Sequence, residues 1–269
     1  MKSVTIIGCG AIARYVARQL RAEERLRLGS VIALPGNEQA ARDMLGAEGS
    51  IGLSVGELLG DLEEQPELVV DCAGHGALRQ HGPSILELGV DLVSVSVGAL
   101  ADRELYSTLV NAAERSGAQL QIVSGAIGGL DALAAARIGG LDRVVYRGRK
   151  PPIGWLGSPA ESKLDLSQLA EAAVHFAGTA RDAALAYPRN ANVAASVALA
   201  GVGFDDTEVE LIADPGLNEN VHEIYAEGAF GSFDFEIRGR ALPDNPKSSA
   251  LAAMSVVRSV LNRQAPLLI

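Results

Sequence analysis

The chain has 269 residues, with 33 Asp plus Glu against 23 Lys plus Arg, for a formal net charge of −10. That sign argues against broad binding to nucleic acid or to an anionic membrane surface, because both need a cationic face. Hydrophobic residues make up 48%, ordinary for a well-filled core, but 30 glycines are an excess, and they fall in short turns.

Val4 to Ile7 is a β-branched run leading into Gly8-Cys9-Gly10-Ala11-Ile12-Ala13, after which Ile12, Val16 and Leu20 share one helical face. Val31 to Leu34 reads as a second buried strand closed by Pro35-Gly36-Asn37, followed by a helix over about 38–45 and a weak strand near Ile51. Leu68–Cys72 and Val90–Val97 are further apolar runs with helix-like segments between them, and Leu120–Val123 follows a helix over 105–115. Strands that alternate with helices and are apolar throughout indicate parallel βαβ units in a sheet covered on both faces.

The pattern changes after Ser124. Strands are expected over 144–147, 174–176, 207–213, 221–225 and 233–238, several of them alternating. In Thr207-Glu208-Val209-Glu210-Leu211 the acids fall on one face, which suggests a half-exposed, largely antiparallel or mixed sheet. Helices are expected over 192–201 and 249–262. The fold class is therefore α/β. A Rossmann-type parallel-sheet nucleotide domain spans 1–123 and a mixed α/β catalytic domain spans 124–246. Residues 247–269 are expected to pack back on the first domain.

Gly8-x-Gly10-x-x-Ala13 directly follows a strand and opens a helix, the context in which such a loop binds a dinucleotide. Gly8 permits the tight turn, Gly10 admits a pyrophosphate, and the helix start at Ala11 and Ile12 offers free N–H groups. The bland alternative is a plain strand–turn–helix. After the second strand neither an acid nor an arginine stands in Ala33-Leu34-Pro35-Gly36-Asn37, so Asn37 is the candidate ribose contact and the cofactor is NAD or NADP. Ala73, Gly74 and His75 follow a buried strand at its carboxyl end, where ligands bind in open parallel sheets.

Only Cys9 and Cys72 are present, too few for a disulfide framework and without zinc spacing, so a reducing cytoplasm is expected and both read as packing residues. Arg14 and Arg18 interrupt the first apolar run, which disfavours a signal peptide, and no run approaches the roughly 20 residues of a membrane span. Of the four histidines, His81 is expected to be exposed, His175 to be packing, and His75 to lie near the cofactor. His222 begins a strand after a turn rich in Asn and Gly, where a side chain can face a cleft. Arg147, Arg149, Lys150, Arg189 and Lys247 can form a local cationic site, whereas Asn190 and Ser248 can be helix caps and nothing more.

These motifs occur in a fixed order. Gly8-Cys9-Gly10-Ala11-Ile12-Ala13 and Asp71-Cys72-Ala73-Gly74-His75 precede Ser124-Gly125-Ala126-Ile127-Gly128-Gly129-Leu130-Asp131, Lys150-Pro151-Pro152 and Phe176-Ala177-Gly178-Thr179-Ala180. Asn190-Ala191-Asn192-Val193-Ala194-Ala195, Ala213-Asp214-Pro215, Asn220-Val221-His222-Glu223-Ile224 and Asn245-Pro246-Lys247-Ser248-Ser249 follow. The series resembles the L-aspartate dehydrogenases over nearly the whole chain. The resemblance implies a homodimer that converts L-aspartate with NAD or NADP to oxaloacetate and ammonia through iminoaspartate, reversibly, in support of NAD biosynthesis. It implies His222 as the catalytic residue and Ala126 and Asn192 as nucleotide contacts. Asn192 and Lys247 are candidate substrate contacts. Family members often carry a charged residue after the second strand, and Pro35-Gly36-Asn37 departs from that. A histidine with an unperturbed pKa near 6.5 suits proton transfer to and from water at an imine. The rivals are another two-domain NAD(P) reductase, of homoserine-dehydrogenase or dihydrodipicolinate-reductase type, and a non-catalytic NAD(H) sensor.

Overall fold

Four successive residues of the first strand, β1 (Lys2–Ile7), are buried. Neighbouring side chains on a strand point to opposite faces, so both faces of the sheet around β1 are covered. In the computed structural model, which describes residues 2–46, 49–52, 65–243 and 245–268, this strand sits inside a six-stranded parallel sheet. The order is β3 (Ser50–Gly52), β2 (Leu26–Ile32), β1, β4 (Leu68–Asp71), β5 (Asp91–Ser94) and β6 (Leu120–Ile122). Its helices are α1 (Ala11–Leu20), α2 (Glu38–Leu45), α3 (His75–Glu87) and α4 (Arg103–Ser116). The strand order reverses between β1 and β4, which is where open α/β sheets bind ligands.

The second strand starts five residues earlier than its apolar run. Ser30 looks out of place in a buried strand, but its hydroxyl pairs with Thr5 Oγ1 at 2.6 Å across β1 and β2. A satisfied pair of hydroxyls tolerates burial that a lone one would not. His81 is also buried, at 6% exposure. Its polar neighbours Arg79 and Gln80 face outward, while position 81 shares the inner face of α3 with Leu78 and Ile85. The expectation of an exposed His81 followed the neighbours' polarity and missed the helical spacing.

Contacts divide the chain into two compact units, Met1–Ser96 with Arg103–Val123 and Ala252–Ile269, and Val97–Asp102 with Ser124–Leu251. The turn at 97–102, placed with the first domain from sequence, clusters with the second unit. Most of the last helix, α8 (Ala250–Asn262), belongs to the first unit. Its Val256 and Val260 join Val4, Ile6, Val31 and Val70 in one buried cluster. Fully burying each such side chain stabilises the fold by about 1.5–3 kcal/mol.

The second unit holds a five-stranded mixed sheet, in the order β11 (Gly231–Gly239), β10 (Asn220–Gly228), β7 (Leu141–Lys150), β9 (Glu208–Ala213) and β8 (Ala173–Thr179). Only β7 and β9 pair in parallel. Helices α5 (Leu130–Gly139), α6 (Ala180–Ala186) and α7 (Asn192–Ala200) accompany it, with a two-stranded ribbon of β12 (Ala241–Leu242) and β13 (Asn245–Ser249). Strand β9 alternates as its sequence does, with Val209, Leu211 and Ala213 buried. Its outward acids Glu208 and Glu210 meet Arg143 and Arg147 of β7. Gly128 and Gly129 leave room for the Phe235 ring, which a Cβ at Gly128 would approach to 2.8 Å.

Candidate functional site

In the first unit the loop after β1 is shaped by two different demands. Gly8 has φ +100°, and a Cβ there would meet Ala73 Cβ at 2.9 Å. Gly10 has φ −73° and open space where its side chain would be, so it is bare toward solvent and not crowded by the fold. Gly10 is also the N-cap of α1, makes no side-chain capping bond, and no acid stands in the first turn. The N–H groups at Ala11 and Ile12 therefore lack a side-chain acceptor at an end that carries partial positive charge. This cradle fits a pyrophosphate.

Asp71, fully buried at the end of β4, organises the neighbouring strand tips. Its Oδ2 accepts from Ser94 Oγ at 2.7 Å and Ser96 Oγ at 2.6 Å, and its Oδ1 from Ala73 N–H at 2.9 Å. Burial holds its carboxyl above the ordinary value against those hydrogen bonds. The turn through Ala73, Gly74 and His75 is thus tied down, with Gly74 at φ +105° starting α3. Sequence reasoning quoted Asp71 only as part of a motif and gave it no role. Cys9 and Cys72 are partly buried and pack on the same core, and burial pushes both thiols up, so neither is a reactive thiolate.

Asn37 is exposed at the N-cap of α2 and makes no side-chain capping bond. The next residue matters more. Glu38 folds back so that its Oε1 accepts from Gly36 N–H at 3.0 Å, and that bond lowers its pKa. A carboxylate therefore does stand at the turn after the second strand, supplied from the first helical turn and not from the strand tip.

In the second unit, cross-strand register assembles a buried cluster. His222 on β10 faces Gly148 on β7. Tyr146, two residues before Gly148 and so on the same face, leans across the bare glycine, where a Cβ would meet its hydroxyl at 2.7 Å. Its hydroxyl shares a 2.7 Å hydrogen bond with His222 Nδ1. Both side chains are buried. Burial pushes the Tyr146 hydroxyl well up, and burial with the Lys150 charge lowers His222 to about 3. The ring is neutral at pH 7, which corrects the expectation of an unperturbed value near 6.5.

Lys150 ends β7 and is 8% exposed. Its Nζ donates to Asn190 Oδ1 at 2.9 Å and lies 4.8 Å from the centre of the Trp155 ring. Pro151 and Pro152 stop the strand and start a 3₁₀ turn that brings Trp155 back over the lysine. Trp155 is pinned by donating Nε1–H to Ile212 O at 3.0 Å. His175 packs edge-on against it, with centroids 4.3 Å apart, and is buried as expected.

Two members of the cationic group anticipated from sequence are ion-paired within the protein. Arg147 pairs with Glu210, Arg149 with Asp214 and Glu223, and Arg189 is exposed. Lys247 lies on β13, but its side chain is outside the described residues. Asn190 is not a helix cap: Ala191 takes the N-cap of α7 without a side-chain bond, and Asn190 serves Lys150. Ser248 lies in β13 and bonds Asn245, again not as a cap. Asn192 opens α7 and accepts from Gly98 N–H at 2.9 Å, while Ala126 sits half-buried in the turn before α5. Among the described residues, no group of three His, Cys, Asp or Glu could hold a metal ion, and no helix is long and apolar enough to cross a membrane.

Residues 131–263 match the family model described as aspartate dehydrogenase, C-terminal, and residues 8–122 match that of the homoserine dehydrogenase NAD binding domain. The chain is 52% identical to an L-aspartate dehydrogenase of Ruegeria pomeroyi over 97% of its length and 92% of that protein's. It is 50% identical to one from Cupriavidus necator, covering 98% of each chain. Among solved structures, an aspartate dehydrogenase from Thermotoga maritima superposes with a TM-score of 0.72 at 25% identity, covering 100% of this chain and 99% of that one. An archaeal homoserine dehydrogenase reaches 0.60 at 13% identity, a likeness of fold alone. With half its residues shared along nearly its full length, the chain belongs to the aspartate dehydrogenase family.

Proposed function

We propose that this protein catalyses the reversible NAD(P)-dependent oxidative deamination of L-aspartate to oxaloacetate and ammonia through iminoaspartate. The observation that carries the reading is the 52% identity, over 97% of the chain, to a relative named for that activity. When bound, the nicotinamide accepts hydride from the substrate α-carbon. In this reading Gly8, Gly10, Ala11 and Ile12 hold the pyrophosphate, Asn37 the adenosine ribose, and Ala73, Gly74, His75, Ala126 and Asn192 the remainder of the cofactor. Asn192 and Lys247 also contact the substrate. The protein works as a cytoplasmic homodimer, away from nucleic acid and membranes, in keeping with a charge of −10.

His222 handles the protons. With Tyr146 accepting from Nδ1–H, the other ring nitrogen Nε2 keeps its lone pair and takes a proton from the water that adds to the imine. The resulting imidazolium returns a proton to the departing ammonia. A neutral ring at pH 7 is already in the base form, and a substrate carboxylate that offsets the Lys150 charge raises its basicity.

Tyr146→Phe isolates the hydroxyl, because the ring still fills its buried place. It is expected to lower kcat about tenfold, the worth of one buried hydrogen bond to the ring, and to leave cofactor affinity unchanged. An unaltered kcat and pH profile in that variant would show that the hydroxyl does not orient His222.

Assays of L-aspartate with NAD and NADP, and of aspartate semialdehyde with NADH and NADPH, test the activity. Turnover of L-aspartate is expected, with NAD favoured because the Glu38 carboxylate repels a 2′-phosphate. Turnover of the semialdehyde alone transfers the chain to the homoserine-dehydrogenase type. Cofactor binding without turnover of either makes it a sensor.

A further inference from the structure

We propose that Lys150, held by Asn190 and Trp155 in the second unit, is the receptor for one carboxylate of the substrate. The inference rests on the dicarboxylate reading above and gives it a binding residue.

The case begins with a charge imbalance. Lys150 is 8% exposed, yet no Asp or Glu of the described residues forms an ion pair with it. The neighbouring cations of the same strand are differently placed: Arg147 has Glu210 at 2.7 Å, and Arg149 has Asp214 at 2.5 Å and Glu223 at 3.2 Å. Among the described residues the partners of Lys150 are neutral, the Asn190 side-chain carbonyl oxygen at 2.9 Å and the face of Trp155. These orient an ammonium without neutralising it. Holding a buried charge apart from water and from a counter-charge costs several kcal/mol. A site that keeps such a charge is pre-arranged for an anion, because the desolvation has been met by the fold before the ligand arrives.

A second observation concerns His175, which packs edge-on against the Trp155 ring. His175 is 4% exposed, its Nδ1 shares a hydrogen bond with Tyr187, and its buried Nε2 has no hydrogen-bond partner among the described residues. Burial first, and then the charges of Lys163 and Lys150, lower His175 to about 4. The Lys150 charge also reaches His222, where burial is again the larger cause. One unpaired cation thus acts on two neutral imidazoles. The unpartnered Nε2 of His175 can donate to an anion in its N–H tautomer, and neither neutral ring competes with Lys150 for it. Burial brings Lys150 itself down to about 8, so at neutral pH the ammonium remains the main form, and a bound carboxylate stabilises it further.

The test uses succinate, a dicarboxylate without the reacting amine, titrated into the full-length protein saturated with NAD and followed by calorimetry. The wild type is expected to bind it. Lys150→Met and Lys150→Gln are expected to weaken binding by about 10²-fold, as when one partner of a buried charge pair is removed. Lys150→Arg is expected to recover part of the loss, and NAD affinity is expected to stay the same in all three. The glutamine variant keeps a polar group for Asn190, so that one neutral variant remains usable if the methionine variant misfolds. Affinity within about threefold of wild type in a folded neutral variant overturns the proposal, as does a wild type that does not bind succinate. If L-aspartate is not turned over but succinate binding still depends on Lys150, the aspartate reading fails and the anion receptor stands. If L-aspartate is turned over and succinate ignores the substitutions, only the receptor fails.

Discussion

His222→Ala is expected to lower turnover with L-aspartate by roughly 10²–10⁴, the usual contribution of a positioned general acid/base, while NADH affinity stays nearly unchanged. The expected split follows from the placement of the ring. His222 belongs to the sheet of the second unit, and its partners there are Tyr146 and the Lys150 charge. Its proposed work is on water and ammonia, after hydride has left the α-carbon. Truncation also leaves the buried Tyr146 hydroxyl without its hydrogen-bond partner, so a melting curve must accompany the kinetics. His222→Gln, which retains polar atoms in the space, should melt nearer the wild type and still lack a proton carrier. Steady-state kinetics of both variants beside a fluorescence titration of NADH decide the matter. Turnover close to wild type in either one removes His222 from the proton path.

The second large effect separates the two glycines of the loop after β1. Gly8→Ala must place a Cβ 2.9 Å from Ala73 Cβ and 3.1 Å from its Cα at a φ of +100°. Both obstacles involve backbone, so neither can move aside cheaply. A loss of about 2 kcal/mol in stability is expected, or roughly 5 °C in Tm, together with at least a tenfold loss of NADH affinity. Gly10→Ala meets nothing within 4 Å and has an ordinary φ of −73°, so its Tm is expected to hold. It still places a methyl group where a pyrophosphate approaches, and its NADH affinity is expected to fall about tenfold. Unaltered NADH binding in both variants would falsify the placement of the pyrophosphate at this loop.

The parallel sheet was legible because its strands are buried on both faces and read as apolar runs. Strand β2 was misplaced where that rule weakens, since Ser30 is accommodated only through its bond to Thr5 on a different strand. The alternation in β9 was legible for a similar local reason: its outward acids are visible in the sequence, although their partners Arg143 and Arg147 are not. What escaped sequence reasoning depends on contacts between distant positions. Tyr146 and His222 are 76 residues apart and meet because β7 and β10 pair in one register with a glycine between them. Lys150 was visible as a cation, but not as a buried one without an acidic partner among the described residues. Glu38 was missed because the strand tip was inspected for an acid and the first helical turn was not.

The first unit is assembled from both ends of the chain, with Val256 and Val260 of α8 closing the cluster around Val4 and Ile6. Ser124–Leu251, most of the second unit, lies between them in the sequence. During synthesis from the N-terminus, the nucleotide sheet emerges early but lacks a wall of its core until the last helix has left the ribosome. The middle of the chain has no such wait once residue 251 has been added. An incomplete chain would therefore expose apolar surface on the nucleotide side first, where nascent intermediates are prone to aggregate. Shortening the chain by one terminal helix should accordingly damage NADH binding before it damages the His222 cluster. Of the two units, the one begun earlier in the sequence is completed later.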